Sequence, residues 1–367
     1  MRIFLIIVIF YTSLNVQGQM RYGPEFEFRH PNQFYAGTSC MLALHLLHAA
    51  YYYSSDDYDF HTYISVNFAM IMPLSVMLVP FCSGYALSKR IETLANKIAN
   101  LDYYELHKSE YRGEPSYRFV DKRGWSFRLT QDADALEVLA DPVTTDQYKG
   151  EIGERLQKQV FDLAEESGFH VHRKTEYFSQ GHINLDLNFF KENPLLLRNF
   201  IVDQLNHSEF ANGVLSNDQY NAESLVKSSK KRNKIAKIIQ SYDEAESRDI
   251  TVFMKELNSL FHKMSQLGLR HTVDNKTSAR IEVRAHRAQR DMNEFIKLID
   301  LYDGRLEYLM TLKSPIEFEN KAVEKDPKKQ LIRFRNYVEE SQKNFNDFYE
   351  ILPEKYQQHF CSTLMSS

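Results

Sequence analysis

The sequence predicts an α+β protein: an antiparallel sheet interrupted by a helical insertion and covered by helices. Three patterns carry this expectation. Short segments alternate polar and apolar residues, the period of a half-buried strand. Longer segments repeat apolar residues three and four apart, the period of an amphipathic helix. Between the first strand and the rest lies an apolar block: Asn32–Ser55 and Phe60–Ser88 contain no Asp, Glu, Lys or Arg.

In chain order, residues 1–19 read as a signal peptide. Met1-Arg2 precede the uncharged run Ile3–Phe10, and Val16-Gln17-Gly18 offer small residues at a cleavage-like spacing. The run is short for a bilayer span. This reading places the protein in the periplasm or outside the cell; a start at Met20 would leave it in the cytoplasm. Arg21–Phe28 reads as a strand. The stretch Phe60–Ser88 is long enough to span a bilayer and ends in Lys89-Arg90, which would anchor it. It also contains Asn67, Pro73, Pro80 and Gly84, so a buried helical insertion over about 31–88 is the preferred reading. Lys89–Tyr104 continues as an amphipathic helix.

Strands are expected at Tyr117–Val120, Trp125–Gln131, Leu136–Leu139, Phe169–His172, His182–Leu187 and Ser278–Arg284. Helices are expected at Ile152–Glu166, Leu195–Leu205, Ile235–Tyr242, Ile250–Leu267, Asp291–Thr311 and Gln330–Glu350. The basic run Lys227–Arg232 reads as a solvated helix face. Residues 20–310, with the insertion at about 31–88, form the expected main domain, and 311–367 a C-terminal helical extension.

Composition narrows the function. With 45 basic against 49 acidic residues, the charge total gives no reason to expect nucleic-acid binding. Thirteen Gly and ten Pro in 367 residues argue against a repetitive or disordered chain. Cys40, Cys82 and Cys361 lack metal-type spacing, so a metal site would have to use carboxylates and histidines.

Four segments offer such groups. In Tyr22-Gly23-Pro24-Glu25-Phe26-Glu27-Phe28, alternation puts Glu25 and Glu27 on one face, about 7 Å apart, with Phe26 and Phe28 on the other. Paired carboxylates suit hard divalent cations. Trp125–Asp132 and Ala135–Pro142 read as two strands joined by an Asp-Ala-Asp turn. Glu137 lies there between apolar neighbours, a costly place for a charge without a partner or a metal. In Gly181–Asn188 alternation places His182, Asn184, Asp186 and Asn188 on one face. His170 and His172, in the preceding segment, read as satisfied core groups. Last, Arg280-Ile281-Glu282-Val283-Arg284 alternates Arg and Glu on one face, suited to holding a phosphate and a metal side by side. A salt-bridge ladder on an exposed sheet would show the same pattern.

The order Gly-x-Glu-x-Glu, Leu-Glu-Val-x-x-x-Pro, Gly-His-x-Asn and Ile-Glu-Val-Arg resembles the carboxylate–amine ligase superfamily, which has the glutamine-synthetase fold. The resemblance is closest to glutamate–cysteine ligase and the bacterial amidoligases, and frames roughly Arg21 to Met310. It implies a curved antiparallel sheet lining a funnel, and an ATP- and Mg²⁺- (or Mn²⁺-) dependent ligase. Such an enzyme forms an amide or isopeptide bond through an acyl phosphate, from small-molecule or peptide carboxylates and amines. By motif position it implies Glu25, Glu27, Glu137, His182 and Glu282 as metal ligands. Asn184 would sit beside the nucleotide or substrate, and Arg284 would hold the γ-phosphate. Arg280 is implied as a helper, and Asp132 as a turn residue or a contact for the amine. Three other readings stay open: a catalytically silent binding protein on this fold, a chain anchored in a membrane through 60–88, and a guanidino-type phosphotransferase. The acid and amine substrates and the oligomeric state are not specified by the sequence.

Overall fold

A computed structural model describes residues 19–30, 42, 46, 72–101, 103–132, 135–171, 180–190, 192–210, 213–215, 224, 226, 228–261, 265–269 and 280–364. The signal-peptide reading, apart from Gln19, and most of the 31–88 insertion fall outside these residues. Among the described residues, no helix is long and apolar enough to cross a membrane.

The strands are β1 (Arg21–Phe28), β2 (Tyr104–Tyr111), β3 (Glu114–Asp121), β4 (Ser126–Asp132), β5 (Ala135–Ala140), β6 (Val143–Thr144), β7 (Gln180–Asp186), β8 (Leu267–Gly268) and β9 (Arg280–Arg287). The helices used below are α1 (Met72–Ala99), α2 (Thr145–Lys149), α3 (Pro194–Asn206), α4 (Ser229–Glu244), α5 (Ile250–Leu260), α6 (Met292–Thr311), α7 (Pro327–Glu340) and α8 (Glu354–Leu364). The pairings given below are antiparallel. The chain divides into two compact units, one of residues 1–26, 140–157 and 173–367, the other of residues 27–139 and 158–172.

In the first unit β7 is central. It pairs with β1 on one side (Glu25 opposite His182) and with β9 on the other (Asn184 opposite Glu282). β8 lies outside β9, with Gly268 opposite Glu282, and β6 pairs with the start of β1. Directly paired residues share a sheet face. Tyr22, Pro24 and Phe26 therefore share a face with Leu185, Ile183 and Gly181, and with Ile281 and Val283 of β9. Helix α6 covers this face. Its N-cap Asp291 accepts a hydrogen bond from Glu294 N, and its apolar stripe includes Phe295, Leu298, Ile299, Tyr302, Leu306 and Leu309, all buried. Phe295 meets Phe26 edge to face at 5.3 Å. Tyr22 Oη donates to Asp303 Oδ1 at 2.7 Å, so the polar tip of a fully buried ring is satisfied from α6.

The ladder between β7 and β9 has one irregularity. Gly181 pairs with His286 and Ile183 with Val283. Arg284 and Ala285 thus stand against His182 alone, which is a β-bulge on β9. Its effect is to reverse alternation beyond it. Without the bulge His286 would share a face with Glu282; instead it joins the α6 face, where Nε2 lies 2.8 Å from Tyr302 Oη. Burial, and behind it the charge of His182, push the His286 imidazole down to about 3.

In the second unit the strands run in the order β2-β3-β4-β5. Phe119 and Phe127 stack at 4.9 Å in its core. Helix α1 packs on β3 and β4 through Leu87, Ile91, Leu94, Ala95 and Ile98, the stripe expected of an amphipathic helix. The helical stretch expected at 152–166 is present, with a π-helical segment over Gln157–Asp162.

Several boundaries differ from the sequence reading. Helix α1 stops at Ala99, and Tyr104 begins a strand rather than ending a helix. Helix α5 ends at Leu260, and residues 267–268 form β8. The strand expected at Phe169–His172 is a single bridge between Arg29 and His170, and His170 is exposed rather than a core group. His172 lies outside the described residues. Asn188 lies past the end of β7, in a 3₁₀ turn, where its backbone N–H donates to Asp186 Oδ1.

Candidate metal centre

On the face of the first unit's sheet opposite α6, register brings Glu25, His182, Asn184 and Glu282 together. Glu25, His182 and Glu282 are buried, and one ligand atom from each lies within 4.8 Å of the other two. His182 Nδ1 lies 3.0 Å from Glu25 Oε2 and 3.3 Å from Glu282 Oε1. Carboxylates only accept, so here the hydrogen sits on Nδ1. A positively polarised hydrogen thus occupies the place between two carboxylates where a cation would bind.

The surroundings are charged and ordered. Arg280 Nη2 lies 3.2 Å from Glu25 Oε1, and Arg284 Nη1 donates to Glu282 Oε1 at 2.7 Å. Asn184 Nδ2 donates to Glu25 Oε1 and to the Gly23 carbonyl, each at 3.0 Å. Burial alone would raise the Glu25 carboxyl. The hydrogen bond and charge of His182, the charge of Arg280 and the Asn184 amide outweigh burial and hold it well below the usual carboxylate range. Glu25 is therefore ionised at neutral pH. Two carboxylates stand against two guanidinium groups, so the cluster is close to neutral apart from His182.

One glycine makes room for it, and a second, on the α6 face of the same sheet, makes room for Gln289. A Cβ on Gly268, opposite Glu282, would come 3.2 Å from Glu282 Oε2. A Cβ on Gly181, in the Gly-His-x-Asn segment, would sit within 2.7 Å of the Gln289 carboxamide. Sequence reasoning had no signal for Gly268; its short strand shows no alternation.

The other expected site residues belong to the second unit. Glu27 and Glu137 are both buried, at 7% and 3% exposure. Asp132 is exposed at the end of β4, and the rest of the Asp-Ala-Asp turn lies outside the described residues. Within the first unit, Asp186 pairs with Arg21 rather than with the cluster. A cleft of about 540 Å³ elsewhere in that unit is lined by Thr145, Asp146, Lys149, Asp300, Asp303 and Lys343 among others, and includes none of the motif residues.

No protein-family model matches the chain, and no curated protein matches it either. Two carboxylates and an imidazole are a donor set for Mg²⁺ or Mn²⁺. The set fits such a cation on one further count: Asn184 Oδ1 is buried, with no hydrogen-bond partner among the described residues.

Proposed function

We propose that the chain is an ATP- and Mg²⁺-dependent carboxylate–amine ligase built on a sheet of glutamine-synthetase type. The observation that carries this reading is the Glu25–His182–Glu282 cluster with Arg280 and Arg284 bonded to its carboxylates. Three of the four motifs that resemble the ligase superfamily supply it. Near-neutrality is itself informative. A cation arriving with a polyphosphate brings a new partner for each arginine, so nucleotide should strengthen a cation affinity that the carboxylates and imidazole already provide.

When bound, Mg²⁺ would offset charge on the polyphosphate and stabilise transfer of its terminal phosphoryl group. Glu25, His182 and Glu282 would hold it. Arg284 would exchange Glu282 for the γ-phosphoryl oxygens and stabilise their charge during transfer. Arg280, exchanging Glu25, would act beside it. The substrate carboxylate oxygen attacks the γ-phosphorus and ADP leaves; the amine nitrogen then attacks the acyl carbon, phosphate leaves and the nitrogen loses a proton. Burial of the cluster favours the amine over water as the second nucleophile.

A second reading has its own support. The same arginine–carboxylate bonds make a complete salt-bridge network, as a silent member of the fold would retain. The deciding measurement is ADP and phosphate release by the purified full chain with Mg²⁺ and ATP. It is screened against pools of amino acids, polyamines and glutamyl peptides, beside Glu282→Ala. Substrate-dependent release of both products with a new amide, absent from the variant, supports the ligase. A phosphorylated guanidino product without phosphate release would indicate a phosphotransferase. Folded protein that neither binds nor turns over ATP would leave the silent reading.

A further inference from the structure

Asn184 is held in an orientation that chemistry alone decides. Its amide contacts Glu25 Oε1 and the Gly23 carbonyl, and both are acceptors. The group facing them must be NH₂, so the opposite atom is the oxygen, although amide orientation is often ambiguous. Both amide hydrogens are used. Oδ1 is buried beside the cluster, on a residue 6% exposed, with no donor among the described residues. A buried acceptor left without a donor has lost its water without a replacement, which destabilises the fold. Such a cost persists where a ligand removes it. Asn184 also stands directly opposite Glu282 in the ladder and bonds to Glu25, so it is bonded to one carboxylate of the cluster and paired in register with the strand residue that bears the other.

We infer that Asn184 Oδ1 is a fourth protein ligand of the cation held by Glu25, His182 and Glu282. This rests on the cation site proposed above and gives Asn184 a different task from contacting nucleotide. The amide nitrogen orients one ligand while the amide oxygen is another, so a single side chain couples the geometry of Glu25 to the occupancy of the site. Neutral amide oxygens are ordinary ligands for hard cations, and this one would add coordination without further charge.

The test uses Mn²⁺ alone with the full chain, without nucleotide. Free Mn²⁺ is followed by electron paramagnetic resonance, and bound waters are counted from line broadening in ¹⁷O-enriched water. Asn184→Ala should weaken Mn²⁺ at least tenfold and gain one bound water. Asn184→Asp, which keeps an oxygen there, should recover most of the affinity and the original water count. A merely structural Asn184 would leave the water count unchanged in both variants, and that result overturns the inference. If Asn184→Ala does not fold, three or more waters on Mn²⁺ in the Asp variant and in the wild type overturn it equally. Wild-type protein that binds no Mn²⁺ removes the cation site and this inference together; Mn²⁺ binding lost in Glu282→Ala but untouched in the Asn184 variants removes this inference alone.

Discussion

The first unit holds two buried ion clusters that differ in how completely they are closed. At Asp203 on α3, Arg305 of α6 donates from Nε to both carboxylate oxygens at 3.1 Å and from Nη2 to Oδ1 at 2.5 Å. Arg305 Nη1 reaches Glu340 of α7 at 2.8 Å, and the guanidinium lies 4.1 Å from the Tyr337 ring and 4.6 Å from that of Tyr308. Opposite charges meet in bidentate geometry and tie three helices together. At Glu25–His182–Glu282, by contrast, two carboxylates converge on one hydrogen, and the Asn184 amide oxygen has no donor among the described residues. The first arrangement is finished by the protein. The second leaves an acceptor open among the described residues. Both centre on buried carboxylates, so what would distinguish a site from a staple is the group left over.

Breaking the closed cluster should have the largest effect. Arg305→Met leaves Asp203 buried without its main partner and should cost about 3–5 kcal/mol in chemical denaturation. The open cluster should respond instead to what is added. Mn²⁺, or Mg²⁺ with ATP, at a hundredfold over its dissociation constant should stabilise the wild type by about 2.7 kcal/mol in thermal unfolding. Glu282→Gln should abolish that gain, while Arg305→Met should retain it.

Acid sharpens the contrast. Burial raises the Asp203 carboxyl, but the charges and hydrogen bonds of His207 and Arg305 outweigh it and bring it from 3.8 to about 2. A folded-state value below the unfolded one means the stabilisation is complete above about pH 4. It is lost as pH falls from there to 2, by roughly 2 kcal/mol. Urea midpoints measured between pH 5 and 2 should fall further in the wild type than in Asp203→Asn, whose remaining loss comes from Glu25 and the other lowered carboxylates. The smallest effect should come from Gly268→Ala. Its new methyl crowds Glu282 Oε2 at 3.2 Å. It should change stability by less than about 1 kcal/mol, yet weaken Mn²⁺ several-fold in the same titration.

Much of the candidate site was legible because strand alternation forces it: once Glu25, His182, Asn184 and Glu282 are placed on strands, register brings them to one face. The bulge on β9 was not legible. No glycine marks it, and it shows only in the pairing of His286 with Gly181. Nor was β2. Seven of its eight residues carry polar side chains and the strand is largely exposed, so it lacks the apolar period that reveals a half-buried strand. The Asp203–Arg305 pair had a signal that went unread: a single acid within the apolar run Phe200-Ile201-Val202-Asp203 of α3, and a single base between Gly304 and Leu306 of α6. A lone charge on a buried helix stripe implies a partner elsewhere, but one sequence does not say which.

The extra residue in β9 works like a dislocation in a crystal. In a perfect ladder the two ends of a strand are locked in phase, and an anchor at one end fixes the aim of side chains at the other. Beyond the bulge β9 is pinned: His286 to Tyr302, and Arg287 to the carbonyls of Leu215 and Ile351. Before it stands Glu282. The mismatch at Arg284 and Ala285 absorbs the difference, so the anchored end can be held rigidly without dictating where Glu282 points.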